Sequence, residues 1–164
     1  MGSEIHAEDV DVRQALTELF EIELRVAGET PALVQIKDKE KFFEFLAGQP
    51  NSSTWIWKDE SGKPVGYLTL VDKPEESELE VLAIRVDKGM RSSGYGKRMM
   101  EFAEKRAEEL GRRAVMLATH PDNAKALGFY KRLGYSIVRR AENYYGDGTP
   151  RYILEKSLRE PHPK

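Results

Sequence analysis

The sequence predicts a mixed α/β (α+β) fold, a sheet with helices packed on it, and three observations point there. Two helical stretches come first, and the hydrophobic period then switches from helical to alternating at Thr54. A strand-helix-strand run over residues 79–119 calls for two parallel strands joined by a right-handed crossover. Turn-bounded strands on either side of that run call for antiparallel edges.

The elements follow in order. The first 27 or so residues read as a helix, with Val12, Leu16, Leu19 and Phe20 on one face and Asp9 or Asp11 as N-cap, ending at the breakers Gly28 to Pro31. A second helix starts at Asp38, carries Phe42, Phe43 and Leu46, and ends near Gly48. Thr54–Lys58 and Val65–Val71 form a hairpin around the turn D-E-S-G-K-P, residues 59–64. Glu75 to Ser77 is an acidic loop, and Leu79–Val86 is the next strand. The following helix runs to about Leu110. Its apolar face is Met99, Phe102, Ala103, Ala107 and Leu110, its solvent face Lys97, Glu101, Glu104, Lys105 and Glu108, and its stop Gly111. Ala114–Thr119 is a strand, Asp122–Leu133 a short helix stopped by Gly134, and Tyr135–Arg139 and Arg151–Lys156 two strands around the loop N-Y-Y-G-D-G-T-P. No internal repeat or linker interrupts the 164 residues, so residues 1–160 read as one domain: helices over 8–48, a core over 54–134 and C-terminal strands over 135–157.

Composition removes several function classes. Charged residues make up 33 % with a net charge of −2, and bases are not in excess, which argues against a dedicated nucleic-acid binder. There is no cysteine, so disulfides, thiolate nucleophiles and acyl-cysteine intermediates are excluded. His6, His120 and His162 are scattered, and no metal site is expected. No apolar run approaches the ~20 residues of a membrane span and no signal-peptide pattern opens the chain, so the expected compartment is the cytoplasm, without membrane contact.

The stretch M-R-S-S-G-Y-G-K-R-M-M, residues 90–100, follows a strand and opens a helix. Free N–H groups and the helix dipole make such an opening suited to phosphate, and glycine lets the backbone come close. It is not a P-loop, since Tyr95-Gly96 stands where Lys-Ser/Thr is needed, and Met99 breaks a dinucleotide fingerprint. Arg91-Ser92-Ser93-Gly94-Tyr95-Gly96 does match Q/R-x-x-G-x-G/A, and Asn123 to Tyr130 matches N-x-x-A-x-x-F-Y, followed by Leu133-Gly134-Tyr135. Together, in this order, these motifs resemble the acetyl-CoA site of the GNAT superfamily of N-acetyltransferases over about residues 54–157.

That resemblance implies a mostly antiparallel twisted sheet with helices on both faces and a central β-α-β unit. It also implies that acetyl-CoA binds in a cleft between the strands 79–86 and 114–119. Backbone groups of Ile84, Arg85 and Val86 would meet the pantetheine arm and the acetyl carbonyl. Arg91, Ser92, Ser93, Gly94, Tyr95, Gly96 and Lys97 would cradle the pyrophosphate, and Asn123 would bond the pantetheine. Tyr130 takes the family's general-acid position, against the plainer reading that it packs beside Ala126 and Leu133. Glu80 stands where histone-acetylating members carry a base, against the reading of a solvated acid in the run Glu75, Glu76, Glu78, Glu80. Ribosomal-protein acetylases use a glutamate where this chain has Ala118, so that assignment does not carry over. The family begins with a strand. Ile5-His6 is short for one, so the first strand is expected to be missing or replaced by Leu33–Lys37.

Asn143 to Gly148 with Tyr152 resembles the loop of protein N-terminal acetyltransferases of the ribosomal-protein alanine type, which makes Tyr144 and Tyr145 candidates for holding a peptide. The acceptor is then a peptide or protein N-terminal amine, attacked directly in a ternary complex. The alternatives are a small amine (a polyamine, an amino sugar or an amino acid) and a non-catalytic acyl-CoA-binding module. The family often dimerises, and pairing of the terminal strands would make a homodimer.

Overall fold

The computed structural model describes residues 3–6, 51–62, 64–86, 94–144, 146 and 148–158. The expected helices over 8–48 and the alternative strand Leu33–Lys37 lie outside the described residues. Seven strands and two α-helices are described: β1 (Ser3–His6), β2 (Ser52–Lys58), β3 (Pro64–Lys73), β4 (Glu78–Val86), α1 (Tyr95–Glu109), β5 (Ala114–Thr119), α2 (Ala124–Arg132), β6 (Ser136–Ala141) and β7 (Arg151–Ser157). A short 3-10 turn, Pro74–Glu76, joins β3 to β4 where an acidic loop is expected. The chain divides into two compact units, residues 1–72 with 82–100, and residues 73–81 with 101–164.

The first unit is ordered β1-β2-β3 and then the C-terminal half of β4. The β1–β2 and β2–β3 pairs are antiparallel. The expectation of a missing or displaced first strand is corrected here: Ser3–His6 pairs with β2 from Ser3↔Lys58 to His6↔Trp55. An edge strand is held by backbone hydrogen bonds along its neighbour, so four residues suffice without an apolar pattern to announce them. From Val65 to Val71 every residue of β3 is buried, as in a strand covered on both faces. The buried Thr69 hydroxyl is satisfied by Thr54 Oγ1 at 2.9 Å.

The second unit is ordered from the N-terminal half of β4 through β5 and β7 to β6. Residues 78–81 pair in parallel with 114–117, and both β5–β7 and β6–β7 are antiparallel. The sheet is therefore mixed and mostly antiparallel. Helix α1 ends as Gly111 dictates. Gly111 takes φ +76°, its N–H donates to Glu108 O, and Arg112 N–H donates to Ala107 O, which together close the last turn. Met99, Ala103 and Ala107 are buried as expected, joined by Tyr95 and Met100, while Phe102 and Leu110 are only half-buried. Glu104 departs from its expected solvent face. It is half-buried, accepting from the Tyr135 hydroxyl at 2.9 Å and from Lys156 Nζ at 3.2 Å. Tyr135 itself precedes strand β6 rather than opening it.

Candidate active site

The glycine-bearing opening of α1 is described from Gly94 onward. Arg91, Ser92 and Ser93 lie outside the described residues. Gly94 takes φ +79°, and a Cβ there would meet no described residue within 4 Å. The first helical bond runs from Arg98 N–H to Gly94 O at 3.1 Å, so the N–H groups of Tyr95, Gly96 and Lys97 precede the helical ladder, as helix geometry requires. The first turn holds no acid. Lys97 is exposed, and the Arg98 guanidinium lies 5.1 Å from the centre of the buried Tyr95 ring. Among the described residues this is an opening free of negative charge, flanked by two cations, and its chemistry fits a phosphate. Ile84, Arg85 and Val86 form the C-terminal end of β4, all half-buried. The parallel ladder with β5 is recorded only from Glu78↔Ala114 to Val81↔Leu117, so Leu82–Val86 continue β4 outside it.

The second motif is built around α2. Helix α2 begins two residues later than Asp122 because Asn123 is its N-cap, with Oδ1 accepting from Ala126 N–H at 3.1 Å. Tyr130 is buried, its ring edge-on to Phe129 at 5.1 Å and to Tyr135 at 6.0 Å. His120 follows β5 and accepts from Asp122 N–H through Nδ1, a strand-end role.

Glu80 is not a solvated acid. It is 4 % exposed, and its Oε1 meets Lys73 Nζ at 3.1 Å. Strand β4 sets its direction. Glu80 pairs with Met116, which pairs with Glu155 on β7, and directly opposed residues share a face. Near it stands Tyr144. Burial pushes the Tyr144 phenol above its ordinary value, and the Glu80 carboxylate adds to that, while Lys73 and Arg139 act against it. The loop between β6 and β7 folds around Asn143, which adopts φ +51° and holds Gly146 N–H with its carbonyl (3.1 Å) and Gly148 N–H with Oδ1 (2.6 Å). This places Tyr144 half-buried rather than at a free turn tip. Tyr145 lies outside the described residues.

Two residues that the sequence alone does not single out belong to this cluster. Lys73, at the end of β3, is the cation on Glu80. Glu78, on the same face of β4, is pushed up to about 7 by burial, by a hydrogen bond to Glu155 and by the Glu155 charge, with Arg113 and Lys73 opposing. Arg113 meets Glu78 at 2.8 Å and Glu155 at 3.3 Å. The alternation E-L-E in β4, residues 78–80, was the available signal for two acids on one face. No group of metal-ligating side chains occurs among the described residues.

The model of the acetyltransferase (GNAT) family matches residues 13–135 of the chain. The chain belongs to this family. Its relatives include the peptidyl-lysine N-acetyltransferase YjaB of Escherichia coli, 29 % identical over 57 % of this chain and 56 % of that protein. The N-alpha-acetyltransferase 20 of Dictyostelium discoideum is 28 % identical over 71 % of this chain and 69 % of that one. In structure, the chain is similar in fold to the ribosomal-protein-S18-alanine N-acetyltransferase of Escherichia coli, with TM-score 0.74 and 20 % identity over 99 % of this chain and 97 % of that one. The chain spans little more than half the length of several curated relatives that it matches.

Proposed function

We propose that this GNAT member is an acetyl-CoA-dependent N-acetyltransferase whose acceptor is the α-amine of a peptide or protein, attacked directly in a ternary complex. The observation that carries the reading is Glu80: a buried carboxylate with Tyr144 of the β6–β7 loop in its electrostatic reach. A base and a peptide-contacting ring are what an α-amine acceptor needs side by side.

Acetyl-CoA, when bound, supplies the acetyl thioester. The N–H groups of Tyr95, Gly96 and Lys97 would hold its pyrophosphate with Gly94, and the motif alone gives Arg91, Ser92 and Ser93 the same role. Ile84, Arg85 and Val86 would offer backbone groups to the pantetheine, and Asn123, whose Oδ1 caps α2, would offer it Nδ2. As the acceptor nitrogen bonds to the acetyl carbon and the carbon–sulfur bond breaks, Glu80 receives the proton that the nitrogen sheds. Tyr130 gives its phenol proton to the departing sulfur. A phenol of pKa about 10 donates to a thiolate of pKa about 8.5 only when held beside it, and the Tyr130 ring is fixed between Phe129 and Tyr135.

A lysine ε-amine acceptor is the second reading, supported by the name of the relative from Escherichia coli. Release of CoA thiol from acetyl-CoA, measured with peptides varied at the N-terminal residue, with lysine peptides and with small amines, separates the readings once products are located by mass. Acetyl on the α-amine supports the first. Acetyl on lysine or on small amines only would refute it. Y130F is expected to lose about 10²–10⁴-fold in turnover while keeping acetyl-CoA affinity. Wild-type protein that binds acetyl-CoA but never consumes it would instead be a binding module.

A further inference from the structure

Lys73 and Glu80 form a closed pair. The ammonium is 3.1 Å from a carboxylate whose side chain is 6 % exposed, while the lysine side chain is 32 % exposed. Burial lowers the Lys73 pKa, but the Glu80 charge and hydrogen bond, with Tyr144 and Glu76, outweigh it and hold the ammonium above its ordinary value. Lys73 is therefore charged throughout the neutral range. The groups facing the pair are Tyr144 from the β6–β7 loop, Glu78 from β4 and Glu76 from the 3-10 turn, with Arg139 from β6 beside Tyr144.

An unpaired buried carboxylate would bind an acceptor as its ammonium, because an opposite charge in a poorly solvated site is strongly favoured. A carboxylate that already has its cation does not. We propose that Lys73 determines acceptor choice by neutralising Glu80 in advance, so that the site takes its acceptor as the free, uncharged amine and thereby selects α-amines over lysine ε-amines. This rests on the reading of Glu80 as the carboxylate that faces the acceptor.

The selection has a calculable size. With ordinary pKa values near 8 and 10.4, the neutral fractions of an α-amine and an ε-amine differ by about 200-fold at pH 7 and by about tenfold at pH 9.5. The test uses two matched peptides, one with a free α-amine and blocked lysine, the other with a blocked N-terminus and free lysine. The kcat/KM ratio for the two is measured from pH 7 to 9.5 on the full chain. Wild type is expected to prefer the α-amine by on the order of 100-fold at pH 7, with the preference shrinking as pH rises. K73R keeps that ratio and its slope. K73M loses at least tenfold of the ratio at pH 7, through a lower KM for the lysine peptide, and its ratio no longer follows pH. K73Q, which keeps a polar side chain, is expected to follow K73M, and melting curves show that each variant is folded.

A wild-type ratio that ignores pH, or K73M and K73Q with the wild-type ratio and slope, would overturn the proposal. E80Q separates this from failure of the reading beneath it. If E80Q retains full rate on both peptides, Glu80 does not face the acceptor and that reading fails. If E80Q loses rate on both while K73M changes nothing, the role of Lys73 alone is refuted. No turnover of either peptide by wild type would count against both.

Discussion

Replacing Gly66 by alanine tests a close backbone approach in the first unit. Gly66 lies inside β3, opposite Trp57 of β2. A Cβ there would stand 2.7 Å from Arg85 O, 3.4 Å from Met99 Sδ and 3.5 Å from Met99 Cε. The methionine end can rotate away, but the carbonyl belongs to β4 and moves only with its strand. Overpacking of this kind costs about 1–3 kcal/mol, and the reduced freedom of the unfolded chain returns about 0.4–1 kcal/mol. A net loss of about 1–2 kcal/mol lowers Tm by about 2–8 °C for a chain of this size. The same displacement reaches the backbone proposed to hold pantetheine. Saturating CoA should stabilise wild type by about 2.7 kcal/mol at one hundred times Kd, and less at the same concentration in G66A. Thermal unfolding with and without CoA reads both effects. A G66A protein that melts at or above the wild-type temperature would refute the close approach, and one destabilised but with unchanged CoA affinity would refute the link to the cofactor strand.

Three further outcomes follow from the second unit. Gly128, inside α2, is the converse of Gly66: among the described residues its Cβ would meet only the far end of the long Arg132 side chain, Nη1 at 3.3 Å, so G128A should stabilise by about 0.5–1 kcal/mol in urea unfolding. Y135F removes the donor to Glu104 at 2.9 Å and leaves that carboxylate on Lys156, and should cost about 1.5–3 kcal/mol in the same assay. Glu78 is raised from 4.5 to about 7 in the folded protein, so the folded state binds its proton more tightly than the unfolded state. The stability it contributes is complete below pH 4.5 and is lost as pH rises through 7. E78Q should flatten stability against pH across that window, and an unchanged profile would show that Glu78 and Glu155 do not share a proton.

The strands from β2 to β7 were legible because their residues carry the period of two or the continuous apolar run that a buried strand requires. Their ends slipped by at most two residues, where the ladder, not the side chains, decides. The short β1 carried no such signal. The glycine start of α1 and the capped α2 were legible because glycine and asparagine do local jobs there, at Gly94 and Asn123. Glu104 was misplaced because periodicity assigns a helix face but not what covers it: Tyr135 and Lys156, 31 and 52 residues further along, supply its partners. Gly66 left a readable trace, since a glycine inside an otherwise bulky strand marks a close backbone approach.

Glu80 shows where local reading stops and register begins. Alternation puts it on one face of β4, but a glutamate in an acidic run reads equally well as a solvated charge. What decides is the connection behind it. Pro74–Glu76 turns tightly, Ser77 adopts φ +56°, and the chain re-enters the sheet one residue later. That brings Lys73 back to Glu80 across seven residues of sequence, so one short connection supplies both the buried carboxylate and its counter-charge. A buried carboxylate deprived of its paired cation is costly, so the two residues constrain each other. If Glu80 faces the acceptor as proposed, the charge offered to an amine is set by β3 as much as by β4. On the reading proposed for Glu80, a search confined to β4 would find the proposed base and miss its partner Lys73 on β3.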